Sequence, residues 1–482
     1  MSGALIYKEE TKMDKIRAGV ITTFEYSLND YIENKKMPED GQYLSRIISQ
    51  DREKIVSILE KYFEIVDGGN LFSIVPAEAV AKKFLCEDID LLIVVSQMWS
   101  GDKPLFRLLE KLGNIPVLYW CYVPTQKLPE HMLLPELYRI GGPVGSMQNA
   151  ALLTRTGKKR SVIIGAPDDP DLEREMEDYA RAYSVLKGLK GLRVGHVCGR
   201  YEEMTGTYID EFKCLTKLGI EYVPITLSMV KDVAEKITPE DIAKESEAIK
   251  RKCSEVLVAD EDLEKALRAS ISMKLIADKY ELGAMTIQDF DEELIEYFGT
   301  RPQLWMPGLT EKGKTISAEG DLLAAVCMWI SRHLGETTPM YMEMFSYDTE
   351  RNGVLCGHAA PMDTALAGDN PIRLIPDAEM APLCECNGAW TSFTGKRGHV
   401  VINGMFTKGD TYAFAMFEGD AESLPILDVH PSVFVKLKKS VKQLYKELMY
   451  LGMNQHFGLS YDDIANRWRV FAEISGFELN EF

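Results

Sequence analysis

The sequence predicts an α/β protein: two doubly wound α/β domains, then a β-rich, barrel-like C-terminal domain with terminal helices. Three observations predict it. Strand-sized apolar runs alternate with amphipathic helical stretches, the pattern of βαβ units on a mostly parallel sheet. That pattern breaks at "GAPDDPD" (165–171) and restarts at "GLRVGHVCG" (191–199). Beyond Gly335 the period changes to two in "GHVVINGMFTKGDTYAFAMFEGD" (398–420), a hairpin-like stretch with Lys-Gly-Asp at its turn.

In the first set, strands are expected at 17–24, 89–96, 115–123 and 160–166, with helices at 51–63 and 103–113. A long charged helix then runs to about Leu189. The second set has strands at 191–199, 221–227 and 283–288, two acidic helices at 239–257 and 260–281, and a helix opening in "SAEGDLLAAVCMWI" (317–330) that ends near Gly335. After the hairpin the chain is expected to return to helix in 431–452 and again in 459–476. The domains so defined are 1–165, 166–336 and 337–482.

A net charge of −19 over 482 residues argues against nucleic acid or an anionic membrane surface as the main partner. A small molecule or another protein fits better. The longest apolar runs, such as "IDLLIVVS" (89–96), are far short of a membrane span. The first residues alternate charges and lack the apolar core of a secretory signal. Nine scattered cysteines point to reduced thiols in the cytoplasm rather than a disulfide framework.

The phosphate-loop, dinucleotide, G-x-S-x-G and H-E-x-x-H patterns are all missing. Four residues remain of interest. In "SAEGDLLAAVCMWI" two carboxylates are set into a helix start, and stepping back from Leu322 and Leu323 by three and four residues lands on Glu319. Glu319 then shares the buried face, where an unpaired carboxylate is expensive. Glu343 interrupts the apolar run "TPMYMEMFSYD". His358 ends an apolar run among small residues in "NGVLCGHAAPMD", and His456 lies in "GMNQHFGLSYDD", on a loop before a helix that Ser460 is expected to cap. Singly, each reads as structure: Glu319 favouring a helix dipole, Glu343 on the solvent face of a strand. Together, two carboxylates and two imidazoles make a four-ligand divalent site suited to manganese, cobalt, iron or zinc. A rival cluster of Cys356, His358, Cys384 and Cys386 has only one residue between its last two cysteines, tighter than zinc sites use.

The C-terminal half resembles the L-fucose isomerase and L-arabinose isomerase family, in "ISAEGDLLAAVCMWI", "MEMFSYDTERNGVLCGHAAP", "SFTGKRGHVVINGMFTKGDTYAFAMFEG" and "GMNQHFGLSYDD". "GHVCGRYEEMTGTYIDEF" and "GGPVGSMQNAALLTRTGKKRSVIIG" extend the resemblance over most of the chain. It implies an aldose–ketose isomerase in which Glu319 and Glu343 are paired metal-binding carboxylates and acid/base groups. His358 and His456 are then the imidazole ligands, around Mn²⁺, with Co²⁺ or Zn²⁺ as alternatives. Asp348 competes with Glu343 for the second acidic role. The resemblance also implies a homotrimer or homohexamer whose sites lie between subunits, with Gln97, Trp99 and Gln148 offered to the sugar by the N-terminal domain. An aromatic face against a sugar ring is physically sensible, and a core tryptophan is the alternative. Arg397, with Lys396 and Arg373, forms either a solvated turn or a contact for an acidic group on the sugar. The other reading of the whole chain is a non-catalytic sugar-binding paralogue. The presence of all four ligand residues disfavours it.

Overall fold

The computed structural model describes residues 15–25, 39–306, 308–377, 388–422, 424 and 429–482, without side chains for 39–41. The chain forms two compact units, Met13–Ser184 with Glu473–Ser475 and, beyond them, most of 185–482.

The first unit is built on a five-stranded parallel sheet of β1 (Arg17–Thr23), β2 (Glu64–Leu71), β3 (Leu91–Ser96), β4 (Val117–Tyr122) and β5 (Arg160–Gly165), in the order β2-β1-β3-β4-β5. Every residue of β3 is buried, as a parallel strand covered on both faces requires. The helix Lys103–Leu112 lays Leu105, Leu108 and Leu109 inward, with Pro104 in its first turn and Gly113 closing it at φ +70°. β2 was not expected. Its sequence, "EIVDGGNL", is rich in strand-poor residues, and it survives as an edge strand that pairs with β1 alone.

The second unit starts with a parallel sheet of β6 (Arg193–Val197), β7 (Glu221–Ile225), β9 (Ala284–Ile287) and β10 (Thr315–Ser317), in the order β10-β9-β6-β7. A two-residue strand, β8 (Glu255–Val256), belongs instead to a small sheet with β13 (Arg373–Pro376) and β14 (Ala389–Ser392). The antiparallel part contains β11 (Met340–Asp348), β12 (Gly353–Gly357), β15 (Gly398–Lys408), β16 (Thr411–Glu422), β17 (Ser432–Leu437) and β18 (Phe457–Ser460). These run β15-β18-β11-β12-β17-β16, and the β15–β16 pairing closes them into a barrel. β19 (Glu478–Glu481) adds to β16 in parallel. The β15–β16 hairpin turns on Gly409 and Asp410, as expected, with Gly409 at φ +57°.

The helix Leu322–Leu334 is buried from Leu322 to Ser331 because it packs against β9 and β10 of the parallel sheet and against β15 and β18 of the barrel. A helix with sheets on opposite sides has no polar face to spare. Two expectations are corrected here. Residues 432–437 are strand, not helix: Ser432–Leu437 pairs with Gly353–Gly357, and the helix begins only at Val441. His456 precedes a strand, not a capped helix; the following helix is Ala465–Ser475, after Ile464. Among the described residues, no helix is long and apolar enough to cross a membrane, and the seven described cysteines are free.

Candidate active site

Strand register assembles three of the four expected ligands. β11 lies between β18 and β12: Met342 pairs with Phe457 and the next residue, Glu343, pairs with Gly357. His456 immediately precedes β18 and His358 immediately follows β12, so both imidazoles flank Glu343. Gly357 must be small, because a Cβ there would lie 2.5 Å from the Pro431 carbonyl oxygen.

Glu319 arrives from the other side, and not as a helical residue. β10 ends at Ser317, and the helix starts at Leu322 with Asp321 as its N-cap. Glu319 sits in the turn between them at φ +60°, and Gly320 follows at φ +70°. A left-handed glutamate costs about 1–2 kcal/mol, so its surroundings must hold it. The Glu319 N–H donates to Asp289 Oδ1 at 2.8 Å, its carbonyl accepts from Tyr201 N at 3.4 Å, and the Gly320 N–H donates to the Ile287 carbonyl at 3.1 Å. Gly320 also admits the backbone of a neighbouring loop, since a Cβ there would lie 2.4 Å from Arg200 Cα.

One donor atom from each of Glu319, Glu343, His358 and His456 falls within 4.8 Å of the others. His456 Nε2 is 2.9 Å from Glu319 Oε2 and 3.4 Å from Glu343 Oε1; His358 Nε2 is 3.8 Å and 3.6 Å from the same two oxygens. Despite that proximity, buried Glu319 Oε2 and His456 Nε2 have no aligned hydrogen-bond partner. A divalent cation satisfies both orphaned atoms, and an oxygen-plus-imidazole donor set suits one. The Tyr341 ring packs against both imidazoles, at 4.6 and 5.0 Å between centroids, and burial pushes its phenol far above the ordinary value, so it stays neutral.

Burial alone would raise the Glu343 carboxyl, but the His358 and His456 rings outweigh it and hold it below the usual carboxylate range. Burial disfavours charge on His456, yet Asp321 first, then Glu319 and Glu343, raise its pKa well above the ordinary histidine value. Burial pushes Asp289 up to about 6, against the opposing pull of Arg301.

Asp321 is the second carboxylate of "SAEGDLLAAVCMWI", and nothing in the sequence marks a task for it. The structure gives it two. Oδ1 accepts from Ala324 N and caps the helix, while Oδ2 lies 2.8 Å from His456 Nδ1 and accepts from Asn454 Nδ2. A carboxylate behind a ligating histidine fixes its tautomer and ring orientation. Asn is as good an N-cap as Asp, so Asp321→Asn isolates the second task. If the four donors hold a divalent ion, the substitution should weaken its binding about 10–100-fold in calorimetric titration; unchanged affinity would leave Asp321 as a cap only.

The remaining candidates lie elsewhere. Gln97 is buried and donates to the Ile48 carbonyl at 2.8 Å. Trp99 is 43% exposed and donates through its indole N–H to Gln148 Oε1 at 2.8 Å. All three belong to the first unit. Arg397 is exposed beside half-buried Lys396, whose ammonium lies 5.0 Å from the centre of the Tyr461 ring. Asp348, offered as a competitor for Glu343, instead accepts from Glu350 N and Arg351 N in the β11–β12 turn. Cys384 and Cys386 of the rival cluster lie outside the described residues.

No family model matches the chain. The chain is nevertheless homologous to sugar isomerases of the fucose/arabinose isomerase-like family, at modest identity over most of its length, which supports an aldose–ketose isomerase. It is 25% identical over 389 residues to a sulfoquinovose isomerase from Priestia aryabhattai, covering 78% of this chain and 82% of that one. A sulfoquinovose isomerase from Alkalicoccus urumqiensis is 22% identical over 396 residues, 79% of this chain and 84% of its own. An L-arabinose isomerase from Vibrio parahaemolyticus is 23% identical over 288 residues, 57% of each chain.

Proposed function

We propose that the chain interconverts an open-chain aldose and its ketose by proton transfer through a cis-enediol, at a centre where Glu319, Glu343, His358 and His456 hold a divalent ion, Mn²⁺ first among candidates. The observation that carries this reading is the convergence of four donors from separate elements with Glu319 Oε2 and His456 Nε2 left orphaned. When bound, the ion polarises the carbonyl and neighbouring hydroxyl oxygens of the sugar and stabilises charge developing on them.

The protein's own groups do the rest. The Glu343 side chain is 25% exposed against 8% for Glu319, so Glu343 is the carboxylate that can reach carbon. It takes the C2 proton, leaving the enediol, and returns it to C1. Glu319, fixed through its backbone, carries the hydroxyl proton from O2 to O1. Asp321 keeps His456 in one orientation throughout. The net change moves one hydrogen from C2 to C1 and one from O2 to O1.

The substrate proposed first is a hexose bearing an acidic group, with pentoses and deoxyhexoses behind it. The sulfoquinovose isomerases align over 78–79% of the chain, whereas the Vibrio arabinose isomerase aligns over 57%. Trp99 and Gln148 offer an exposed aromatic face with a hydrogen-bonded amide beside it, a pair suited to a sugar bound in a neighbouring subunit of a homo-oligomer. The test is ketose formation from a panel of neutral and sulfonated aldoses, with the protein refilled with Mn²⁺, Co²⁺, Zn²⁺ or Mg²⁺ after chelation. Metal-dependent ketose from a sulfonated aldose alone is expected. Turnover of L-arabinose or L-fucose alone would overturn the substrate class, and metal-independent turnover would overturn the centre.

A further inference from the structure

Resting on that reading of the centre, we propose that Asp289 is a positioning residue: it sets the turn that aims Glu319 at the other three ligands. Asp289 lies two residues past the end of β9 and is buried. Its Oδ1 takes the Glu319 N–H at 2.8 Å. The peptide so held leads into a non-glycine residue in the left-handed region, a conformation that needs external support.

Asp289 is itself held from behind. Its Oδ2 accepts from the Gln303 amide and faces Arg301 Nη1 at 3.5 Å. Arg301, also buried, is gripped from the opposite side by Asp377, through Nε and Nη2 at 2.9 Å each. The guanidinium is further packed 5.0 Å from the centre of the Phe290 ring. A bidentate arginine–carboxylate pair is rigid as well as strong, so Asp377 and Arg301 fix the carboxylate that fixes Glu319. A buried ion-pair network thus ends on the backbone N–H of Glu319. Ordinary capping of a turn does not require that; locating a ligand to within a fraction of an ångström does.

The network also supplies its own control. Asp289→Asn keeps one oxygen but turns an amide toward the Arg301 and Gln303 donors, releasing the Glu319 turn. Asp377→Asn weakens the same network without touching the residue that contacts Glu319. If Asp289 positions Glu319, Asp289→Asn should weaken Mn²⁺ binding at least tenfold and lower kcat by a similar or larger factor, with KM changed less than threefold. Its bound-Mn²⁺ electron paramagnetic resonance spectrum should differ from that of the parent. Asp377→Asn, one step further from Glu319, should lower Tm and weaken Mn²⁺ binding by a smaller factor than Asp289→Asn. Equal affinities in the two variants and the parent, with lowered Tm in both, would make Asp289 purely structural and overturn the inference. Should Asp289→Asn fail to fold, Gln303→Leu removes one of its restraints and should weaken Mn²⁺ by a smaller factor; no change there would overturn the inference equally. Absence of stoichiometric Mn²⁺ binding by the parent protein would instead overturn the metal reading itself.

Discussion

Glu343→Gln should lower kcat/KM for the aldose by about 10²–10⁴-fold, the range expected when a group that transfers the proton is removed. Glutamine keeps the shape and one hydrogen-bonding oxygen but cannot accept a proton from carbon. Because Glu343, on barrel strand β11, is 25% exposed, the fold should tolerate the change, and far-ultraviolet circular dichroism should overlay that of the parent. Glu319→Gln should be as inactive, with a further effect. Glu319 Oε2 lies 2.9 Å from His456 Nε2 in a buried site, so an amide there removes charge from the centre where charge matters most, and Mn²⁺ affinity should fall with activity. Turnover within tenfold of the parent in either variant would remove that residue from the proton path.

How far these residues were readable depends on what makes each one local. β3 and β4 were legible because a continuous apolar run between turns has few other uses. β2 was not, because Asp67, Gly68, Gly69 and Asn70 carry no strand preference, and only pairing to β1 makes them a strand. The segment 431–452 misled for the opposite reason. Its lysines and leucines keep a helical spacing, while the strand Ser432–Leu437 is only six residues long, does not alternate, and is fixed by pairing with β12.

The four donors were legible as a set of residue types, and their convergence follows from the register of β18, β11 and β12, which sequence alone does not give. Glu319 faces inward, as the sequence predicts, but by a different route. A helix run backwards through "SAEGD" points it inward, but the helix begins after Asp321, a good N-cap, and a left-handed turn does the pointing. Gly320 and Asp321 were the local signals for that turn. Asp289 had none: its partner is thirty residues away, on a different element, and nothing in "QDFDEELIEYF" separates it from Asp291, which caps the helix Glu292–Phe298.

Chelation should abolish turnover and lower Tm, and the size of the stability loss should depend on pH in a direction fixed by His456. An ion present at a hundred times its Kd contributes about 2.7 kcal/mol to the folded state, which for a unit of this size is a Tm shift of about 4 °C. In the metal-free protein the raised pKa of His456 means that its imidazolium stabilises the fold fully below the ordinary histidine value, about 6.5. That contribution is lost as pH rises through the raised value. Glu343, whose pKa is depressed, contributes above the ordinary carboxylate range and loses that contribution progressively as pH falls below it. The ion needs His456 neutral, so binding expels its proton, and affinity should fall by up to tenfold for each unit that pH drops below the raised value. The two effects run in opposite directions. The gap in Tm between loaded and chelated protein should therefore widen from pH 6 to pH 8, as followed by scanning calorimetry at fixed free Mn²⁺. A gap that is flat or narrows as pH rises would mean that the ion does not compete with the proton on His456 and is bound elsewhere.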